Sequence, residues 1–203
     1  MGRETSCLAQ FGDWTGDGKL SLETDDVVFR GAQRLSIRLG DVKQASAQDG
    51  WLVIAHTGGM ARFDLGDQAE KWAHAISNPK TRLDKLEVKA HSKVLVDGLE
   101  DDTLFMEELR RRTSSVDTGG REKDYDIVLV RVEHTDDLAG LDSLAKRIRP
   151  AGVIWIVHPK GRKDLSHDVL VGAAKRAGLI DTKTARFSET HTCLKVVIPK
   201  GKR

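Results

Sequence analysis

The chain has 203 residues, longer than one average domain and enough for two small ones, each burying its own core. Lys and Arg number 33 against 31 Asp and Glu, so no overall field draws in nucleic acid or an anionic membrane, and any such partner has to be met locally. The two cysteines, Cys7 and Cys193, stand near opposite ends and outside any CxxC or Cys/His cluster. That argues against a disulfide framework and structural zinc, and for a reducing, cytoplasmic setting.

The first residues, MGRETSCLAQFGDW, lack the apolar centre of a secretory signal. No apolar run approaches the ~20 residues that cross a bilayer, so a soluble protein without a membrane span is expected. From Gly18 onward Leu20 and Leu22, then Val27, Val28 and Phe29, then Leu35, Ile37 and Leu39 fall in short runs bounded by Gly or Asp, the mark of half-buried strands. Asp49-Gly50 is a hairpin signal leading into WLVIAH, and Gly58-Gly59 turns into MARFDL. The period then changes. Asp67 caps a helix, QAEKWAHAIS, whose Ala69, Trp72, Ala73 and Ile76 share one face, with Pro79 beyond its end.

A bent antiparallel sheet closed by one helix carrying a Trp plug resembles a pleckstrin-homology-like domain over roughly residues 15–78. The resemblance implies an interaction or dimerisation module, or peptide binding. Phosphoinositide binding is disfavoured, because the first hairpin loop reads ETDDVV where lipid-binding members carry basic residues. Within this region DWTGDGKLSLET imitates a calcium loop, with Asp13, Thr15, Asp17, Gly18 and Leu20 at matching offsets. Its twelfth position holds Thr24 in place of a bidentate Glu and its flanks are strand-like, so a turn into a strand is the reading adopted and no metal site is expected.

In the second half, TRLDKLEVKAH reads as a short helix and KVLV as a compact strand ending at Asp97-Gly98. EDDTLFMEELRRR is a helix with acids at its start and arginines at its end, as the helix dipole favours, and Leu104, Phe105 and Leu109 on its apolar face. DYDIVLVRV and AGVIWIVHP are apolar enough for strands covered on both faces. Between them TDDLAGLDSLAKRIRP predicts a helix capped by Thr135 and stopped by Pro150. A last helix from about Ser166 to Gly178 leads to two strand-like runs, LIDTKTARFS and TCLKVVIP. This alternation predicts a parallel sheet with an antiparallel pair at one edge.

Such an order, with a C-terminal hairpin finishing the sheet, resembles the S-adenosylmethionine-dependent methyltransferase fold. The segments RLDKLEVKAHSKVLVDG, DYDIVLVRV, KRIRPAGVIWIVHPKG, SHDVLVGAAKRAGLID and ETHTCLKVVIPK are similar to an uncharacterised bacterial family of methyltransferase-like domains, over about residues 81–200. The expected fold class is therefore a pleckstrin-homology-like β module with one C-terminal helix (1–79), followed by an α/β Rossmann-like, methyltransferase-like domain (80–203). A methyl-donor site of this kind is expected to have a turn of the type D/E-x-G-x-G-x-G, because only glycine lets the backbone approach the cofactor. Here the turn reads VDGLEDDTL, which keeps Asp97 and Gly98 and adds Glu100, Asp101 and Asp102.

Asp117 stands where a ribose-gripping acid belongs, though Asp before Thr-Gly-Gly is also good turn chemistry. Glu133 and His134 follow a strand at the edge where catalytic residues gather, and could form an acid/base pair or simply enter a helix. His158, Lys160, Arg162 and Lys163 follow the next strand and could hold a phosphate or carboxylate, or form a solvated basic loop. The tail residues Lys200, Lys202 and Arg203 lack the aromatic partners of a nucleic-acid site. The reading adopted is a non-catalytic scaffold with a degenerate methyltransferase-like domain, no cofactor, and a protein partner or self-association. The alternative is an atypical methyltransferase using S-adenosylmethionine, with Gly98, Asp117 and Glu133 lining the crevice. A third possibility is a regulator that binds a nucleotide or other anion at His158 to Lys163.

Overall fold

Strand formation begins well before Gly18. In the computed structural model, which describes residues 3–23, 25–120 and 122–202, β1 (Arg3–Phe11) and β2 (Trp14–Leu22) form a hairpin about Gly12 and Asp13. Gly12 holds a φ of +56°, a left-handed value that glycine adopts without strain. There follow β3 (Asp26–Gly31), β4 (Arg34–Arg38), β5 (Val42–Gln48), β6 (Trp51–His56) and β7 (Gly59–Asp64). All pair antiparallel in one seven-stranded sheet ordered β4-β3-β2-β1-β7-β6-β5. The helix α1 (Ala69–Ser77) buries Ala69, Trp72, Ala73 and Ile76. Trp72 is 1% exposed and shares one core with Leu20, Phe29, Leu52, Ile54 and Phe63.

The calcium-loop resemblance dissolves in this geometry. Asp13 lies in the hairpin turn, while Asp17 and Gly18 lie within β2 opposite Leu8 and Cys7, so the acids run along a strand instead of around an ion. Thr24 lies outside the described residues.

The second unit contains α2 (Arg82–Lys85), β8 (Val94–Asp97), α3 (Thr103–Arg112), β9 (Val116–Asp117) and β10 (Tyr125–Arg131). A 3-10 turn over Thr135–Gly140 then runs into α4 (Leu141–Ala145), followed by β11 (Ile148–Pro159) and α5 (His167–Arg176). The hairpin of β12 (Ile180–Arg186) and β13 (His191–Val197) finishes a six-stranded sheet ordered β12-β13-β11-β10-β8-β9. β9, β8, β10 and β11 are mutually parallel, and β13 is antiparallel to both β11 and β12. Alternate residues of one strand serve opposite faces: Val128 and Val130 join the core with Ile154 and Ile156, while Ile127 and Leu129 join the other with Trp155 and Phe105.

The expected fold class is corrected by this architecture. The chain divides into the units Met1–Lys80 and Thr81–Arg203. Neither is the pleckstrin-homology-like or Rossmann-like domain that the patterns suggested, for each is built on a sheet and is rich in strands. In the first, β1 is an additional nine-residue strand outside the expected span, and it joins β2 to β7 to make the sheet continuous. In the second, one of the six strands, β13, runs against the others and the helical covering is thin, with four residues in α2 and five in α4.

Local chemistry explains the shortened helices. Thr81 caps α2 reciprocally with Asp84, but Glu87 then adopts a φ of +64° and turns the chain. His134, not Thr135, caps the next helical turn, its backbone N–H held 2.9 Å from an Asp137 oxygen. Pro150 does not stop a helix. It lies within β11, where pairing jumps from Tyr125–Ile148 to Ile127–Val153 and leaves the proline in a bulge that requires no amide hydrogen. On α3 the buried face is Phe105, Met106 and Leu109, while Leu104 is 77% exposed. Among the described residues no helix is long and apolar enough to cross a membrane.

Candidate functional site

Strand order reverses direction between β8 and β10, since β9 lies beyond β8 on one side and β11 beyond β10 on the other. Open sheets leave a crevice for ligands at the carboxyl ends of the strands on either side of such a switch. Asp97 is the last residue of β8, opposite Val130, and Gly98 follows at a φ of +77°. A Cβ on Gly98 would stand 3.3 Å from Cβ of Arg131, so both backbone angle and space select glycine. The Asp97 carboxylate has no hydrogen bond or ion pair among the described residues. Its carboxyl is raised above the usual range, first by partial desolvation at the strand end and then by Glu100, with Arg147 opposing.

Two of the added acids of the turn, Asp101 and Asp102, have partners. Asp101 forms a two-pronged ion pair with Arg131 at the end of β10, one prong at 3.0 Å. Asp102 accepts from the Phe105 N–H at 3.0 Å and caps α3. Asp117, at the end of β9, accepts the Gly119 N–H at 2.7 Å and the Tyr125 hydroxyl. These bonds tie it to turn and strand, as its position before Thr-Gly-Gly allows.

Glu133 and His134 do not form a pair. Asp137 gathers both of their backbone N–H groups, at 2.8 and 2.9 Å, which lowers its own pKa. The Glu133 side chain instead reaches Nε2 of His191, the first residue of β13, at 3.2 Å. Nδ1 of His191 lies 2.9 Å from the Thr190 hydroxyl. In the tautomer that donates Nε2–H to Glu133, Nδ1 is the acceptor nitrogen of the ring. The sequence gives no local sign of His191, because only the insertion of β13 beside β11 brings it to this edge. Arg131 likewise has no local sign, since it meets Asp101 only because β10 pairs with β8.

His158, Lys160, Arg162 and Lys163 are brought together. All four line a cavity of about 530 Å³ at the end of β11, with Pro159, Leu165, Ser166 and His167 also in its wall. Lys160 donates to the carbonyls of Ser188 and Glu189, both at 2.8 Å, and Arg162 to Asp164 at 2.5 and 2.8 Å. Burial lowers the His158 pKa, and His191 and His167 add to the effect. A second cavity, about 350 Å³, lies among Thr135, Leu138, Asp142 and Arg176. No group of His, Cys, Asp and Glu among the described residues could hold a metal ion. Burial also pushes the Cys7 and Cys193 thiols up to about 11 and about 12, which keeps both protonated and unreactive near neutrality.

No family model and no curated protein matches the chain. Several solved structures resemble it at low identity. A methyltransferase from Aquifex aeolicus described as S-adenosylmethionine-dependent is 11% identical with a TM-score of 0.45, over 58% of this chain and 87% of that one. Aeropyrum pernix fibrillarin, solved with natively bound S-adenosyl-L-methionine, is 13% identical with a TM-score of 0.42, over 77% of this chain and 99% of that one. A third, a methyltransferase from Corynebacterium glutamicum described as TehB-like, is 12% identical with a TM-score of 0.39, over 64% and 95%. These are distant likenesses, and none of them identifies a reaction.

Proposed function

We propose that the second unit is an atypical methyltransferase that takes S-adenosylmethionine at the switch between β8 and β10. The observation that carries this reading is the Asp97-Gly98 step: a carboxylate with no hydrogen bond or ion pair among the described residues, then a glycine in left-handed geometry, at the reversal of strand order. The donor has a cationic ammonium group, which Asp97 would hold, and Gly98 would give it close access to the backbone. When bound, the cofactor supplies an electrophilic methyl group. In this reading His191, held by Glu133, would receive a proton from the acceptor.

Isothermal calorimetry of the whole chain with S-adenosylmethionine and S-adenosylhomocysteine tests this. Micromolar binding is expected, with Asp97→Asn weakening it about tenfold through loss of a charge-assisted contact. Saturation at a hundred times the dissociation constant should stabilise the fold by about 2.7 kcal/mol. Silence at millimolar ligand would overturn the reading.

A second reading is favoured by the Arg131–Asp101 pair, which joins the end of β10 to the loop after β8 beside the same crevice, and by the turn bonds of Asp117. Under it the unit is a scaffold that binds protein or itself, and silence with the donor would be accompanied by concentration-dependent mass in sedimentation.

A further inference from the structure

We infer that the cavity at the carboxyl end of β11 binds the phosphate group of a small molecule, independently of any methyl donor. Its volume of about 530 Å³ falls within the usual range for small-molecule sites, roughly 300–1,000 Å³. The basic residues of its loop divide into two kinds. Lys160 is spent on the Ser188 and Glu189 carbonyls and Arg162 on Asp164, so they brace the loop rather than face a ligand. Lys163 has no ion pair and its ammonium makes no hydrogen bond among the described residues. Nε2 of His158 and the Ser166 hydroxyl, on the same wall, likewise have no protein partner.

All three residues line the cavity, and each of these groups can donate to one of the acceptor oxygens of a phosphate monoester. Nδ1 of His158 faces the carbonyl of Pro159 at 3.2 Å, so once an anion draws a second proton onto the ring, both nitrogens donate. His167, 3.9 Å from Asp181, adds a further imidazole at the rim. Pro159 and Leu165 give an apolar wall for the organic part of the molecule.

The test is a titration of the full chain with inorganic phosphate, followed by amide and imidazole NMR shifts at constant ionic strength, with chloride and acetate as controls. Saturable shifts are expected for the Lys160–His167 loop and the His158 ring, with weaker binding of acetate. Lys163→Ala should weaken phosphate about tenfold, the effect of losing one charge-assisted hydrogen bond, while Lys146→Ala, just past α4 and outside the cavity lining, leaves it unchanged. Lys163 is exposed, so its replacement does not disturb the core. Shifts that chloride reproduces, equal binding of acetate, or undiminished affinity in Lys163→Ala would each overturn the assignment. No methyl donor enters the titration, so its outcome is separate from that of the donor experiment.

Discussion

Trp155 is fully buried, and its indole N–H donates to the Leu86 carbonyl at 3.0 Å. Trp155→Phe retains much of the apolar bulk but leaves that carbonyl without its donor, so urea unfolding should show a loss of about 1–3 kcal/mol. Asp84 shows the opposite balance on an exposed surface. Hydrogen bonds from Arg112 and then Thr81 hold its carboxyl down at about 2, below the ordinary value. A depressed carboxylate stabilises the fold above the unfolded pKa, near ~3.9, and that contribution disappears as pH falls through the folded value. The stability gap between the native chain and Asp84→Asn should therefore be constant from neutrality to about pH 5 and close progressively toward about pH 2. Solvent screening keeps the gap small, and thermal melts across that window measure it.

Among the elements, the bulge of β11 is the most demanding. A Cβ at Gly152 would stand 2.7 Å from the Tyr125 carbonyl oxygen and 2.9 Å from Cβ of Ile148, both parts of the packed ladder. Gly152→Ala is expected to cost about 1–3 kcal/mol through overpacking and to lower the melting temperature accordingly. The apolar centres of β8, β10 and β11 made those strands readable, since Val, Ile and Leu without interruption require cover on both faces. β1 was unreadable for the converse reason: of RETSCLAQF only Cys7 and Ala9 are buried, and neither is a strong strand signal. Pro150 read as a helix stop because a bulge leaves no periodic trace. The basic loop after β11 was legible as a cluster because its members are adjacent in sequence. The Glu133–His191 and Asp101–Arg131 pairs span 58 and 30 positions, and only strand order joins them.

At the scale of the whole chain, each unit has its own buried core: one centred on Trp72 and Phe63, the others on the two faces of the second sheet. We expect a cut between Lys80 and Thr81 to give two pieces that each unfold cooperatively, which circular dichroism in denaturant measures. Loss of cooperativity in either piece would show that the division does not mark independent folding.

The placement of β13 also bears on how the second unit is made. It lies between β11 and β12, and its Leu194 and Val196 are part of the core. During synthesis β11 is complete at Pro159 while its neighbour begins only at His191, about thirty residues later. At ~5–20 residues per second the nascent chain holds an apolar strand with one bare edge for roughly two to six seconds. That interval is the period in which a ribosome-bound chaperone has the most to protect.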